Sequence, residues 1–238
     1  MTEELQQISE HVWVYPHNPN DTQPNVGVIV TEQHTVLIDA GNSPRHARRI
    51  LGELWRINAP TVTHVIYTHY HWDHTFGAQI FGGLVIGHEQ CRDLLTSQYA
   101  SKPWSNQYLQ EEMRQNPART TMLQALGRAI DDWRGFRVIL PAVVFSDHMA
   151  LHVDDITLDL RHVGGRHAAD SITVEVAGEG VLFVGDCYYP PPTSIRQPGD
   201  GLNMEMLHSL LAQNMQTYIE GHSHPITHAE FVQKMSEL

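Results

Sequence analysis

Thr68-His69-Tyr70-His71-Trp72-Asp73-His74 puts three imidazoles and one carboxylate within six consecutive residues. The residues just before it, Val62-Thr63-His64-Val65-Ile66-Tyr67, are mostly β-branched or aromatic and read as a short strand. The residues after it, Phe76-Gly77-Ala78-Gln79-Ile80-Phe81, are expected to open a short helix. The cluster therefore sits on a strand-to-helix turn, a place where α/β proteins often carry chemistry. His69 and His71 are two apart, so in an extended segment they point to the same side and can share one metal. Asp73 and His74 follow as the chain turns and can face a second metal. Neutral imidazole suits zinc, iron, nickel or copper, and a carboxylate adds hard-ligand character. Burying this many polar rings together with no metal would be costly.

Working outward, a strand at 12–15 is followed by a turn-rich loop, Pro16-His17-Asn18-Pro19-Asn20-Asp21. Residues 25–30 and 35–39 read as a hairpin that breaks at Asp39-Ala40-Gly41. Ser43 and Pro44 are helix-start residues, and Ile50, Leu51 and Leu54 follow at helical spacing, which predicts a helix over 45–55. A strand at 83–87 and a helix at 88–96 come next. Over 97–140 the strand/helix rhythm stops. Helices are expected at 107–115 and 121–133, as a helical insertion or lid over the metal site. Strands resume at 143–145, 149–153, 156–163, 172–177 and 180–185, then a helix at 202–213, a strand at 217–220 and a closing helix at 227–235. This order suits two sheets packed face to face with helices outside.

The sequence has 238 residues, 41% of them hydrophobic, which is enough for one sizeable domain spanning 1–238. A formal net charge of −12 repels phosphate backbones, so nucleic acid is not an expected partner. No apolar run is long enough to span a membrane. Cys91 and Cys187 have no metal-site or disulfide spacing and read as reduced thiols. With Met1-Thr2-Glu3-Glu4-Leu5 lacking signal character, they lead to the expectation of a cytoplasmic protein. Oligomeric state is not readable from the sequence.

His69-Tyr70-His71-Trp72-Asp73-His74 resembles the His-x-His-x-Asp-His signature of the metallo-β-lactamase fold superfamily, and later segments extend the resemblance in order. Val163-Gly164-Gly165-Arg166-His167-Ala168-Ala169-Asp170-Ser171 is similar to the family's third motif. Val184-Gly185-Asp186 is similar to the strand that ends in its bridging carboxylate. Glu220-Gly221-His222-Ser223-His224 is similar to its last Gly-His motif. The resemblance implies a four-layer αβ/βα sandwich of two mixed sheets, with metals where the sheets meet. It implies His69, His71 and His167 on one metal, Asp73, His74 and His222 on the other, and Asp186 between them. His162 is the competitor to His167, and His224 to His222. Asp39 matches an early Asp that orients ligands.

The resemblance implies two zinc ions, with iron or manganese as alternatives, and a hydrolase that uses a metal-bridging hydroxide. Asp73 is the expected proton shuttle. Tyr189, three residues past Asp186, is similarly placed to a Tyr of quorum-quenching lactonases and is a candidate oxyanion donor, with a packing role as the plainer reading. The expected substrate is a small-molecule ester, lactone or thioester. A β-lactam or small phosphodiester on the same site is the next reading, and a mononuclear iron oxygenase like the persulfide dioxygenases, using His69, His71 and Asp186, the third. Tyr70, Trp72 and Trp104 are the expected aromatic wall of the pocket.

Overall fold

The computed structural model describes residues 4–236. One sheet has seven strands in sequence order: β1 (Gln6–Gln7), β2 (Val12–Tyr15), β3 (Val26–Val30), β4 (Thr35–Ile38), β5 (Val62–Ile66), β6 (Leu84–His88) and β7 (Val143–Phe145). Its first three pairings are antiparallel and its last three are parallel. The second sheet holds β8 (His148–Val153), β9 (Ile156–His162), β10 (Ile172–Val176), β11 (Val181–Gly185), β12 (Thr217–Glu220) and β13 (Ile226–Thr227), in the order β13-β12-β11-β10-β9-β8. Only β11 and β12 pair in parallel there.

Parallel neighbours need crossovers, and the helices supply them. Helix α1 (Pro44–Arg56) joins β4 to β5. Its start is fixed by the Ser43 side chain, which accepts from the His46 N–H at 3.2 Å, with Pro44 in the first turn. The β5–β6 connection contains the short α2 (Trp72–Thr75). The β6–β7 connection carries α3 (Glu89–Leu95), α4 (Asn106–Gln115) and α5 (Thr120–Ala129), and α6 (Met204–Ala212) lies between β11 and β12. Helix α7 (His228–Ser236) ends the described chain.

Strand alternation creates the four layers, because successive side chains point to opposite faces. Ile29, Val36, Ile38 and Ile66 point inward and pack against Leu158, Leu160, Val174 and Phe183 of the second sheet. Val28, Leu37 and Val65 point the other way, onto Ala47, Ile50 and Leu54 of α1. On the far side, Leu182, Val184 and Tyr218 pack against Leu207 and Leu210 of α6 and Phe231 of α7. Phe183 fills the space above Gly27, where a Cβ would run into its ring.

The sandwich expected from the sequence is thus observed, with differences at element ends. The helix expected at 121–133 stops at Ala129, and Ile130 is extended (φ −111°, ψ 99°). This frees Trp133 to stack on Trp104 with ring centroids 5.6 Å apart. The stretch expected to open a helix after Phe76 holds a single 3₁₀ turn at Ala78–Ile80, and a short helix not expected from the sequence forms at Trp72–Thr75, inside the His/Asp cluster. α3 runs on through a wider π-helical turn at Thr96–Ala100. Strand β1 has no counterpart in the sequence pattern, since Gln6 and Gln7 are exposed and carry no apolar signal. Cys91 and Cys187 are both buried free thiols.

Two parallel pairs define one edge of the sandwich. β4 and β5 in one sheet, and β11 and β12 in the other, all end there. At that edge the Ile172 N–H donates to the Thr68 carbonyl at 2.9 Å, and Asn25 Nδ2 donates to the Glu220 carbonyl at 2.7 Å, each bond joining one sheet to the other. Crevices beyond the carboxyl ends of parallel strands are where open α/β sheets bind ligands.

Phe183→Ala is expected to lower the unfolding free energy by about 3–5 kcal/mol, read from the midpoint of a urea titration.

Candidate metal centre

Asp39 follows β4 in the left-handed backbone region (φ 66°), which is uncommon for a residue with a side chain. The conformation turns its carboxylate towards the end of β5. Oδ1 accepts from the Thr68 backbone N–H at 2.7 Å, and Oδ2 accepts from the Thr68 hydroxyl at 2.8 Å and faces His74 Nδ1 at 2.6 Å. These contacts fix tautomers. Since the Thr68 hydroxyl gives its proton to Asp39, His69 Nδ1, 3.1 Å away, is the donor to Thr68 Oγ1. His69 Nε2 is then left with a lone pair. His74 donates through Nδ1 to Asp39, which leaves Nε2 as the nitrogen turned towards the other donors. His167 Nδ1 donates to the Pro190 carbonyl at 3.0 Å, with the same result.

The free nitrogens converge. His71 Nδ1 lies 2.9 Å from His69 Nε2 and 3.0 Å from His167 Nε2. One proton on His71 could satisfy only one of those neighbours. Three nitrogens around a tetrahedral zinc at 2.0–2.1 Å would stand about 3.3 Å apart, close to what is seen. Beside them, His222 Nε2 is 3.3 Å from His74 Nε2 and 3.2 Å from Asp73 Oδ2. Asp186 lies between the two groups: its Oδ2 is 3.3 Å from His167 Nε2, 3.4 Å from His222 Nε2 and 3.7 Å from His74 Nε2. Its Oδ1 is buried and has no hydrogen-bond partner among the described residues. His69, His71 and His167, and separately Asp73, His74 and His222, are compact enough to hold an ion each. This donor set fits two metal ions that share a carboxylate.

Electrostatics agree with that fit. Burial, reinforced by His167, drops His71 to about 3, so its ring is neutral, as a ligand must be. Burial opposes charge on Asp73, yet His74 and His222 outweigh it and hold the carboxyl at about 2. Burial would also depress His222, but Asp186 and Asp73 lift it to about 10. His74 is raised well above its usual range by Asp39, Asp73 and Asp186 against the same burial. Three buried carboxylates therefore demand positive charge. Protons on His74 and His222 meet that demand, and dications would meet it in their place.

The chain places these groups with little freedom. A Cβ on Gly221 would run into Asp186 Oδ1 and the His74 ring, so only glycine lets β12 deliver His222 here. The competitors lie elsewhere. His162 ends β9, with Nε2 2.8 Å from the Ala169 carbonyl and its ring stacked 3.8 Å from His88. His224 packs edge-on against His17. Tyr189 lies beside His167 and His222, and its hydroxyl donates to Glu220 Oε2 at 3.1 Å. Glu220 is buried and also receives Lys234 Nζ at 3.0 Å and the Ser223 hydroxyl. The Tyr189 proton therefore rests on Glu220, whereas an oxyanion role needs it aimed at substrate. Thr68 and Glu220 gave no signal in the sequence, because a Thr before a His and a Glu ending a strand have many ordinary explanations.

A cavity of about 920 Å³ opens over His71, Asp73, His167, Asp186 and His222. Its walls include Tyr99, Asn116–Arg119 and Met122 on one segment and Pro192–Arg196 on another. Tyr70 and Trp72 line it as expected. Trp104 does not, because it is held in an aromatic cluster with Phe76, Tyr108 and Trp133.

The profile of the metallo-beta-lactamase superfamily matches residues 19–213, and the chain belongs to that family. Among solved structures, a metallo-beta-lactamase from Pontibacter korlensis superposes with a TM-score of 0.66 at 17% identity, covering 98% of this chain and 97% of that one. A double mutant of the sec-alkyl sulfatase PisA1 superposes with a TM-score of 0.70 at 14% identity, covering 98% of this chain and 40% of that longer one. At such identities the likeness establishes the fold alone. No curated protein matches the sequence. Members of the superfamily are mostly hydrolytic metalloenzymes, and this chain has His/Asp groups able to bind metal. Among the described residues no helix is long and apolar enough to cross a membrane.

Two outcomes are expected from these contacts. Asp39→Asn weakens the hold on Thr68 and His74, and metal affinity, read by competition with a chromogenic chelator, is expected to fall about 10–100-fold. Asp170, between His167 and Ser171, is fully buried, its carboxylate oxygens meet no good hydrogen-bond donor among the described residues, and burial, only partly offset by the Cys91 thiol and the Tyr70 backbone, pushes its pKa from 3.8 up to about 6. A raised carboxyl pKa means that the folded state binds the proton more tightly than the unfolded chain. This group's contribution is therefore most favourable below about pH 4 and is lost as pH rises through about 6. The stability of Asp170→Asn relative to the parent should accordingly increase by roughly 2 kcal/mol from pH 4 to pH 7, measured by urea unfolding in the presence of a chelator.

Proposed function

We propose that the protein is a dinuclear zinc hydrolase acting on a small-molecule ester, lactone or thioester. The observation that carries this reading is Asp186 Oδ2, within 3.3–3.7 Å of imidazole nitrogens from both donor groups. His69, His71 and His167 would hold one ion, Asp73, His74 and His222 the other, and Asp186 both. Nitrogen-rich sets with carboxylates suit zinc, and the same set admits iron or manganese. When bound, such a pair of ions supplies Lewis acidity towards the substrate carbonyl and a water nucleophile active near neutral pH.

The protein's own groups do the rest. Asp73 Oδ2 borders the cavity beside His222 and can orient the attacking water, accept its proton and return it to the leaving group. Asp39 keeps His74 in the tautomer that presents Nε2. Tyr189 lines the cavity beside His167 and His222, and its ring limits where the substrate carbonyl can sit. It becomes an oxyanion donor only if the hydroxyl turns away from Glu220. The segment at 97–140 contributes Tyr99, Asn116–Arg119 and Met122 to the cavity wall, which supports its reading as a lid within one domain.

The test is elemental analysis of protein purified with no added metal, alongside His222→Ala. We expect roughly two zinc ions per chain, falling towards one in the variant. Turnover on an ester, lactone and thioester panel should be lost with chelator and restored by zinc. One iron per chain, unchanged in His222→Ala, would overturn the reading.

A further inference from the structure

The protein carries 27 acidic and 15 basic side chains, so its mean field repels anions. Its cavity departs from that average. The carboxylates that line it, Asp73 and Asp186, both belong to the ligand set and face imidazoles there. Among the described residues, the other full charges lining it are two guanidinium groups, Arg119 and Arg196. They come from separate segments: Arg119 ends the turn Pro117–Arg119 that leads into α5, and Arg196 lies in the loop between β11 and α6.

Arg119 forms an ion pair with Glu112 and Arg196 is held through Nε, yet neither guanidinium is saturated with hydrogen bonds among the described residues. Arg119 Nη1 stands 3.6 Å from Glu112, beyond a good hydrogen bond, and its side chain is about one third exposed. Arg196 Nε donates to the Pro191 carbonyl at 2.9 Å, which orients the group. Its two Nη atoms meet no acceptor among the described residues. A planar fork of free N–H groups matches a carboxylate, sulfate or phosphate. The same wall carries aromatic and apolar side chains, Tyr70, Tyr99 and Met122, among polar ones such as Gln98 and Asn116. Ile195, next to Arg196, is 62% exposed, a large apolar side chain presented at the rim. The volume suits a molecule of ordinary ligand size.

We infer that the cavity selects amphipathic anions, with an apolar body over the aromatic wall and a carboxylate, sulfate or phosphate on Arg119 and Arg196. Resting on the hydrolase reading above, this makes the substrate an ester, lactone or thioester with an anionic group away from the reacting bond. A neutral substrate would gain nothing from the two cations, and a cationic one would be repelled by them.

The test is binding, read by intrinsic tryptophan fluorescence on the protein as purified and again after chelator treatment. The probes are decyl sulfate, decanoate and decyl phosphate, each below its micelle concentration, against decanol and decyltrimethylammonium. We expect at least one anion to bind about tenfold more tightly than decanol. Arg119→Gln and Arg196→Gln should each cut that preference severalfold, the double variant should abolish it, and Arg196→Lys should keep part of it. The preference should also shrink in high salt. Which anion binds best identifies the headgroup. A preference that survives unchanged in the double variant overturns the inference and assigns the anion to the metal centre; equal binding of decanol and all three anions overturns it too. Zinc-dependent turnover of neutral esters with no Arg-dependent anion preference would overturn this inference alone. Arg-dependent anion binding with no turnover of any ester would overturn the hydrolase reading and leave anion recognition standing.

Discussion

The Asp39 carboxylate is the contact on which the rest of the site depends. It is buried, it takes the Thr68 N–H and hydroxyl, and it faces His74 Nδ1 at 2.6 Å. Those bonds tie the end of β4 to the start of the His/Asp turn and decide which nitrogen each of His69 and His74 offers. A buried carboxylate without partners would be costly, so the geometry that satisfies Asp39 is strongly preferred. The left-handed backbone at Asp39 is a small local cost, offset by what it brings together.

Around that anchor the architecture solves a charge problem. Asp39, Asp73 and Asp186 gather at one edge of the sandwich, where water is largely excluded. Isolated, they would be untenable. Paired with the imidazoles of His69, His71, His74, His167 and His222, they form a centre that is stable only with positive charge, whether protons or dications. This is why the same groups that perturb each other's pKa values are the groups that could hold metal. The sheets supply rigidity: parallel strands from both end at this edge, and cross-sheet bonds through Thr68 and Asn25 keep the halves in register.

The cavity is built differently from the centre it covers. The centre rests on strand ends, and the cavity on connections: the long β6–β7 crossover and the β11–α6 loop. Such segments can vary without disturbing the core, so the groups able to hold metal and the walls of the cavity lie on separate parts of the chain.

Much was legible in the sequence because the determinants are local. Continuous apolar runs in 26–30, 35–38 and 181–185 mark strands that are buried on both faces. Ser43-Pro44 fixes a helix start. The spacing of His69, His71, Asp73 and His74 puts four donors on one turn, and the Gly-Asp at 185–186 and Gly-His at 221–222 mark strand ends. Tertiary structure alone decided the rest. It separated His167 from His162 and His222 from His224, because each choice depends on which strand end reaches the edge. It moved Trp104 from the expected pocket wall into an aromatic cluster, since ending α5 at Ala129 let Trp133 swing onto it. It set the Tyr189 hydroxyl on Glu220, a partner 31 residues away. It also brought Arg119 and Arg196 to one cavity. Contacts of that kind leave no periodicity in the chain, because what joins them is the packing of distant elements and not the spacing of neighbours.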